Sequence, residues 1–282
     1  MFWGIFVIIN LITASLLIPL QRLLLRKEKI DTISFIVITQ ALCALLLVPF
    51  AIIHGFQLPD IHKHGAAIVT MFVLYALGHI IYVKTLKRVE ASVFSTLLNI
   101  STVWVVLMGY VFLKEKFDQV DLIGTFLILF STVLLVERKS KFSLNKSIVM
   151  GLVVGCIFGI ASSLWVYIGK SSDLLTWTML SFAGTPLILL LFKPNLVSHL
   201  KHFINNKSIL LIVLIALVWS IDNIASLAAY KLGKVSVVAP LLQTSIILSV
   251  LVSILFLHER SRLYWKLLAA VVCFMGVVLL IS

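Results

Sequence analysis

Asp222 is the only acidic side chain well inside an apolar run of this sequence, near the middle of residues 208–230. A carboxylate in such a place must face a water-filled cavity, hold a partner or take a proton. Its type suits proton coupling or cation binding; it equally suits a structural acid that bonds neighbouring Ser and Asn groups and pins helices together. Asn223 follows it, and Trp219, Asp222 and Ser226 share one face at helical spacing. A second polar centre is His79, with Tyr75 and Tyr82 on its face at i, i+4 and i+7. An imidazole there either relays a proton near neutral pH or packs as a neutral, hydrogen-bonded ring. Two amides, Asn99 and Gln243, can read polar substrate groups or serve as interhelical glue. Asn99 belongs to a polar series with Ser92, Ser95 and Thr102, and Gln243 to one with Ser236 and Pro240. Pro240 leaves a backbone carbonyl unbonded one turn earlier, which suits a kink or a carbonyl facing a cavity. Asn10 shares a face with Thr13, and Trp165 with Ser162. Trp165, Trp219 and Tyr75 together make a candidate aromatic wall that, with Asp222, suits an organic cation through cation–π attraction.

What is missing from the pattern matters as much. Inside the apolar runs there are no paired carboxylates, metal-ligand clusters or nucleophile–base spacings, so neither an enzyme nor a cofactor is implied. Cys43, Cys156 and Cys273 lie within apolar runs and read as small packing residues. The 23 Lys and Arg against 11 Asp and Glu sit mostly in short polar stretches. There they meet anionic lipid headgroups and set orientation; nucleic acid is not an expected partner. Glu115 and Glu259 begin loops beside basic residues and read as solvated interfacial charges. Trp3, Trp177 and Trp265 read as interfacial aromatics. Gly151, Gly155, Gly159 and Ser163, each four apart, form a small-residue stripe for close helix packing.

The elements that must hold these residues follow from hydropathy. Of the 282 residues 61% are hydrophobic and 12% charged, and the mean hydropathy is +1.16. A soluble domain does not have this composition. A hydrocarbon layer of about 30 Å needs roughly 20 apolar residues of helix per crossing. The chain divides into such segments at 2–21, 33–53, 66–86, 91–113, 119–136, 148–169, 174–192, 208–230, 235–257 and 264–281. The expected class is an all-α membrane protein of ten transmembrane helices. Barrel strands are excluded because runs such as Ile148 to Ile168 are apolar on every face. The first segment lacks a basic start and a small-residue cleavage site, and is expected to be a retained helix. Residues 193–207 are expected to lie along the surface.

The sequence also repeats. At a constant offset of 144, residues 85–115 align with 229–259 without a gap, and 11 of 31 positions are identical, where apolar bias alone gives roughly three or four. Lys87/Lys231, Ser92/Ser236 and Glu115/Glu259 carry the most weight, because hydropathy does not demand them. Gly78 and His79 are the counterparts of Asp222 and Asn223, and Asn99 of Gln243. The domains are therefore residues 1–136 and 148–282, five helices each, joined by the polar linker 137–147. Five is odd, so the halves enter the membrane from opposite sides and form inverted repeats, an architecture recurrent in secondary transporters. Loops after helices 1, 3, 5, 7 and 9, together with Lys84 and Lys266 in the adjoining helix ends, carry 17 Lys or Arg and the other loops 6, which places the first set in the cytoplasm.

The two copies run from Glu90-Ala91-Ser92-Val93 to Phe112-Leu113-Lys114-Glu115 and from Lys234-Val235-Ser236-Val237-Val238-Ala239-Pro240 to Phe256-Leu257-His258-Glu259. Each precedes a short loop and an apolar helix, the second ending in Gly276-Val277-Val278-Leu279. This pattern resembles the EamA-like ten-helix transporters of the drug/metabolite transporter superfamily, over essentially the whole chain. The resemblance implies a multi-pass protein of the inner or plasma membrane, and both termini in the cytoplasm, the reverse of the charge count. It implies a substrate among amino acids, drugs, choline-like cations or nucleotide sugars without choosing between them. The expected function is secondary active transport of a small polar or cationic metabolite by alternating access, coupled to protons or to exchange. The alternative is a passive facilitator, a lipid-linked-sugar flippase or a sensor. Expected partners are a small-molecule substrate, protons and the bilayer, with the protein a monomer or a homodimer.

Overall fold

The computed structural model describes residues 2–27, 31–88, 94, 97–98, 100–116, 118–134, 146–192, 209–245, 247–248, 252 and 263–281. Among these the regular elements are all helical: α1 (Trp3–Lys27), α2 (Thr32–Ile53), α3 (Ile61–Leu86), α4 (Ile100–Val111), α5 (Gln119–Leu134), α6 (Lys146–Ser171), α7 (Leu174–Phe192), α8 (Ile209–Leu232), α9 (Val235–Gln243) and α10 (Leu263–Ile281). By length and composition, six of them are able to cross a membrane: α1, α2, α3, α6, α7 and α8, while α4 and α5 are shorter apolar helices.

Starts of helices are set by short acids. Asp31 accepts a hydrogen bond from Ser34 N at 3.0 Å, Asp60 from Lys63 N at 3.1 Å and Asp173 from Thr176 N at 2.8 Å, each satisfying an otherwise unpaired first-turn N–H. The Asp60 cap starts α3 at Ile61, five residues before the apolar run from 66 suggests, because a capped polar turn can lead an apolar helix. Likewise α1 continues to Lys27, beyond the apolar run ending at 21. α9 runs from Val235 to Gln243 with Thr244 as its C-cap; Ser245, Ile247, Leu248 and Val252 are again helical, and the rest of the expected run to 257 lies outside the described residues. Outward faces carry large apolar side chains such as Ile53, Leu191 and Phe274, as expected where lipid is the solvent.

Helices pack across the chain midpoint rather than within each half. The principal partners are α1 with α8, α2 with α7, α3 with α6, α4 with α6 and α9, and α5 with α10. Small residues permit the closest of these. The stripe on α6 meets α4: a Cβ at Gly155 would stand 2.9 Å from Leu97 O, and one at Gly159 2.6 Å from the Trp104 ring. On α3, Gly78 accepts the ring of Phe158 against its Cα. The packing purpose read from the stripe is thus met.

Two expectations are corrected. Trp177 is not interfacial: it is fully buried, and its indole N–H donates to Trp165 O at 3.0 Å. A donor-bearing ring can be taken inward when a carbonyl meets it. Glu115 is not a solvated charge: it accepts from Val235 N and Ser236 N, both at 2.8 Å. Hydropathy registers neither partner. Glu259 and residues 193–207 lie outside the described residues, as does the side chain of Cys273; Cys43 is buried and Cys156 half-buried.

Candidate functional site

The cross-chain pairing leaves three adjoining cavities along the middle of the bundle, of about 220, 250 and 250 Å³. Ser162 lines all three, so they form one compartment divided by side chains. Its walls come from α1–α4 on one side and α6–α9 on the other.

At one end α8 brings Asp222 against α1. Asp222 Oδ1 accepts from Asn10 Nδ2 at 2.7 Å and from Thr13 Oγ1 at 3.0 Å. Asn10 Nδ2 also reaches Ser226 Oγ at 2.8 Å, and that hydroxyl donates to Asp222 O one turn back. The partners on α1 are neutral, so they orient the carboxyl without cancelling its charge. Asn10 and Thr13 reach Asp222 because α1 and α8 are direct neighbours. Asn223, beside it, donates from Nδ2 to Trp219 O at 3.1 Å and lines the same cavities.

At the other end stands His79 on α3. Its Nδ1 lies 2.7 Å from Tyr75 O, and a carbonyl only accepts, so Nδ1 carries a proton. Nε2 lies 2.9 Å from Gln40 Nε2 of α2 and accepts from that amide in the neutral ring. Both nitrogens are therefore occupied. Aromatic rings enclose the imidazole, with centroids at 4.9 Å for Phe158, 5.6 Å for Trp219 and 5.8 Å for Tyr75. This arrangement matches the neutral packing role of a histidine more closely than an open proton relay. Tyr75 OH lies 3.2 Å from Ser162 Oγ, and Tyr82 OH donates to Gln21 Oε1 at 2.7 Å.

Of the residues read from the sequence, Asp222, Asn223, Tyr75, His79, Trp165 and Trp219 line one cavity together. Asn10 and Gln243 join Asp222 in the second, and Tyr82 joins His79 and Gln243 in the third. Asn99 lies outside the described residues. The polar faces of α3 and α8 meet through His79 and Trp219, whose ring centroids are 5.6 Å apart, but Asp222 and His79 hold separate partners. Sequence reasoning missed Gln40, Gln21, Phe158 and Thr185. The two glutamines carried a usable signal, being polar side chains inside apolar runs; Phe158 carried none. Among the described residues that line the three cavities there is no Lys or Arg. The compartment thus pairs one carboxyl with aromatic faces and neutral amides and hydroxyls, a set that attracts cations and polar neutral groups more than anions.

The family model described as "EamA-like transporter family" matches residues 1–137. In fold, 28 solved chains match, among them a crystal structure described only as that of a protein, with a TM-score of 0.74 at 14% identity over 98% of this chain and 98% of its own. At that identity the likeness is one of fold. No curated protein matches significantly in sequence.

Proposed function

We propose that the chain, whose residues 1–137 match the model of the EamA-like transporter family, is a secondary active transporter of a small polar or cationic metabolite. It acts in the inner or plasma membrane by alternating access. The protein consists of ten transmembrane helices in two inverted five-helix halves, residues 1–136 and 148–282, joined by the linker 137–147. The pairing of α1 with α8, α3 with α6, α2 with α7, α4 with α9 and α5 with α10 supports the two-half reading. It is the pattern that a two-fold exchange of the halves leaves unchanged.

The observation that carries the function is Asp222, bonded by Asn10 and Thr13 and lining a cavity with Tyr75, Trp165 and Trp219. Substrate binds against these rings, with its positive or hydrogen-bond-donating end toward Asp222. The carboxyl holds a proton or a cation in one half of the cycle and releases it in the other. Binding and proton uptake then compete for one group, which couples them. Rocking of the halves about this compartment exposes it first to one side and then to the other.

Uptake into proteoliposomes tests this. A pH gradient is expected to accelerate uptake, and Asp222→Asn to remove that acceleration. Uptake indifferent both to the gradient and to Asp222→Asn would reject coupling through this residue. Trans-stimulation by unlabelled substrate separates a carrier from a sensor.

A further inference from the structure

Away from the central compartment, one charged cluster sits where four helix ends meet. Glu115 follows the end of α4, on a turn where Lys114 takes a φ of 53° and Glu115 N donates back to Gly109 O at 3.1 Å. This turn aims the carboxylate across the chain midpoint at the start of α9, where it accepts from Val235 N and Ser236 N, both at 2.8 Å. Gly109 leaves the room: a Cβ there would stand 3.1 Å from Glu115 Oε2. Lys170, on the last turn of α6, lies 3.7 Å from the same carboxylate and donates to Gly233 O at 3.4 Å. Lys231 braces that turn, its ammonium donating to Gly169 O at 3.2 Å and Ser172 O at 2.5 Å. A carboxylate at a helix N-terminus with a cation beside it is held by charge-assisted bonds, and it ties residues on opposite sides of the midpoint.

The offset of 144 carries the whole set with it. Glu115 corresponds to Glu259, Lys170 to Arg26 and Lys231 to Lys87, each with its charge retained, and Val235 and Ser236 correspond to Ala91 and Ser92. The helices agree with this register, for α6 ends at Ser171 and α1 at Lys27. An ordinary solvated face has no need to keep charge type at three positions scattered over the chain.

We propose that Glu115, the start of α9 and Lys170 form a latch closing the face that bears the start of α1. The latch is closed in the state described and opens when the halves rock. This rests on the alternating-access reading. The latch does not touch the compartment; it sets whether that face is shut.

A thiol reporter tests it in the full chain with the native cysteines replaced. Val166 is fully buried, lines the compartment and lies one turn before Lys170, so Val166→Cys reports opening on the latched side. A membrane-impermeant maleimide applied from that side is expected to label it slowly. Glu115→Gln should accelerate labelling roughly tenfold, the effect of weakening one bond to a charged group. No acceleration in folded Glu115→Gln overturns the proposal. If Glu115→Gln does not yield monodisperse protein, Lys170→Gln keeps the α9 cap and should accelerate labelling less, in the same direction; unchanged labelling there overturns it too. Labelling needs no substrate. Unchanged labelling in protein that still performs counterflow rejects the latch alone, whereas Glu115-sensitive labelling without counterflow rejects the transport reading.

Discussion

Asp222 and Trp177 illustrate what a single buried polar group requires. The Asp222 carboxyl is tolerated because Asn10 and Thr13 meet it from a neighbouring helix. Removing one partner leaves the acid under-bonded. Asn10→Ala is therefore expected to lower thermal stability by about 1–3 kcal/mol, the usual cost of an unsatisfied buried group, and thermal unfolding in detergent measures it. Trp177 was expected at an interface because tryptophan prefers one, but Trp165 O supplies its N–H with an acceptor inside the bundle. Trp177→Phe should cost about 1 kcal/mol for the lost bond, and Trp177→Ala about 3–5 kcal/mol for the cavity as well. Equal losses in the two variants would contradict burial as the dominant contribution.

Between helices, contact depends on the absence of side chains as much as on their fit. The α6 stripe of Gly151, Gly155 and Gly159 admits Leu97, Ile100 and Trp104. Gly155→Leu would drive a branched side chain into backbone, an overpacking that costs roughly 1–3 kcal/mol or more. We expect little monodisperse protein from it, by size-exclusion chromatography, while Gly4→Leu, which meets nothing within 4 Å, should behave as the parent. Legibility at this scale was uneven. The stripe was visible in the sequence because its period of four matches a helix ridge, but its partner helix was not. Glu115 shows the opposite failure: its position was evident, and its partners on α9, 120 and 121 residues away, were hidden.

Considered whole, the protein encloses a compartment whose one carboxyl faces aromatic rings and, among the described lining residues, no Lys or Arg. A monovalent organic ammonium ion should raise the unfolding temperature, since a ligand that binds only the folded state stabilises it by mass action. Monocarboxylates and nucleotide sugars should raise it less. Asp222→Asn should abolish the ammonium effect; a carboxylate that stabilised the protein as strongly would overturn the charge assignment.

By itself, the sequence determined the solvent, the helical class and the repeat. Apolar runs of membrane length leave the backbone no way to satisfy its hydrogen bonds but helix, and identities at one offset do not depend on packing. It also singled out Asp222 and His79, because a polar group in hydrocarbon is conspicuous in one dimension. Only the tertiary structure decided who meets whom: Asp222 with Asn10, 212 residues apart, His79 with Gln40, and Glu115 with α9. Hydropathy encodes depth along the membrane normal. These helices are apolar nearly all round, so it does not encode which face turns inward or which neighbour it finds there.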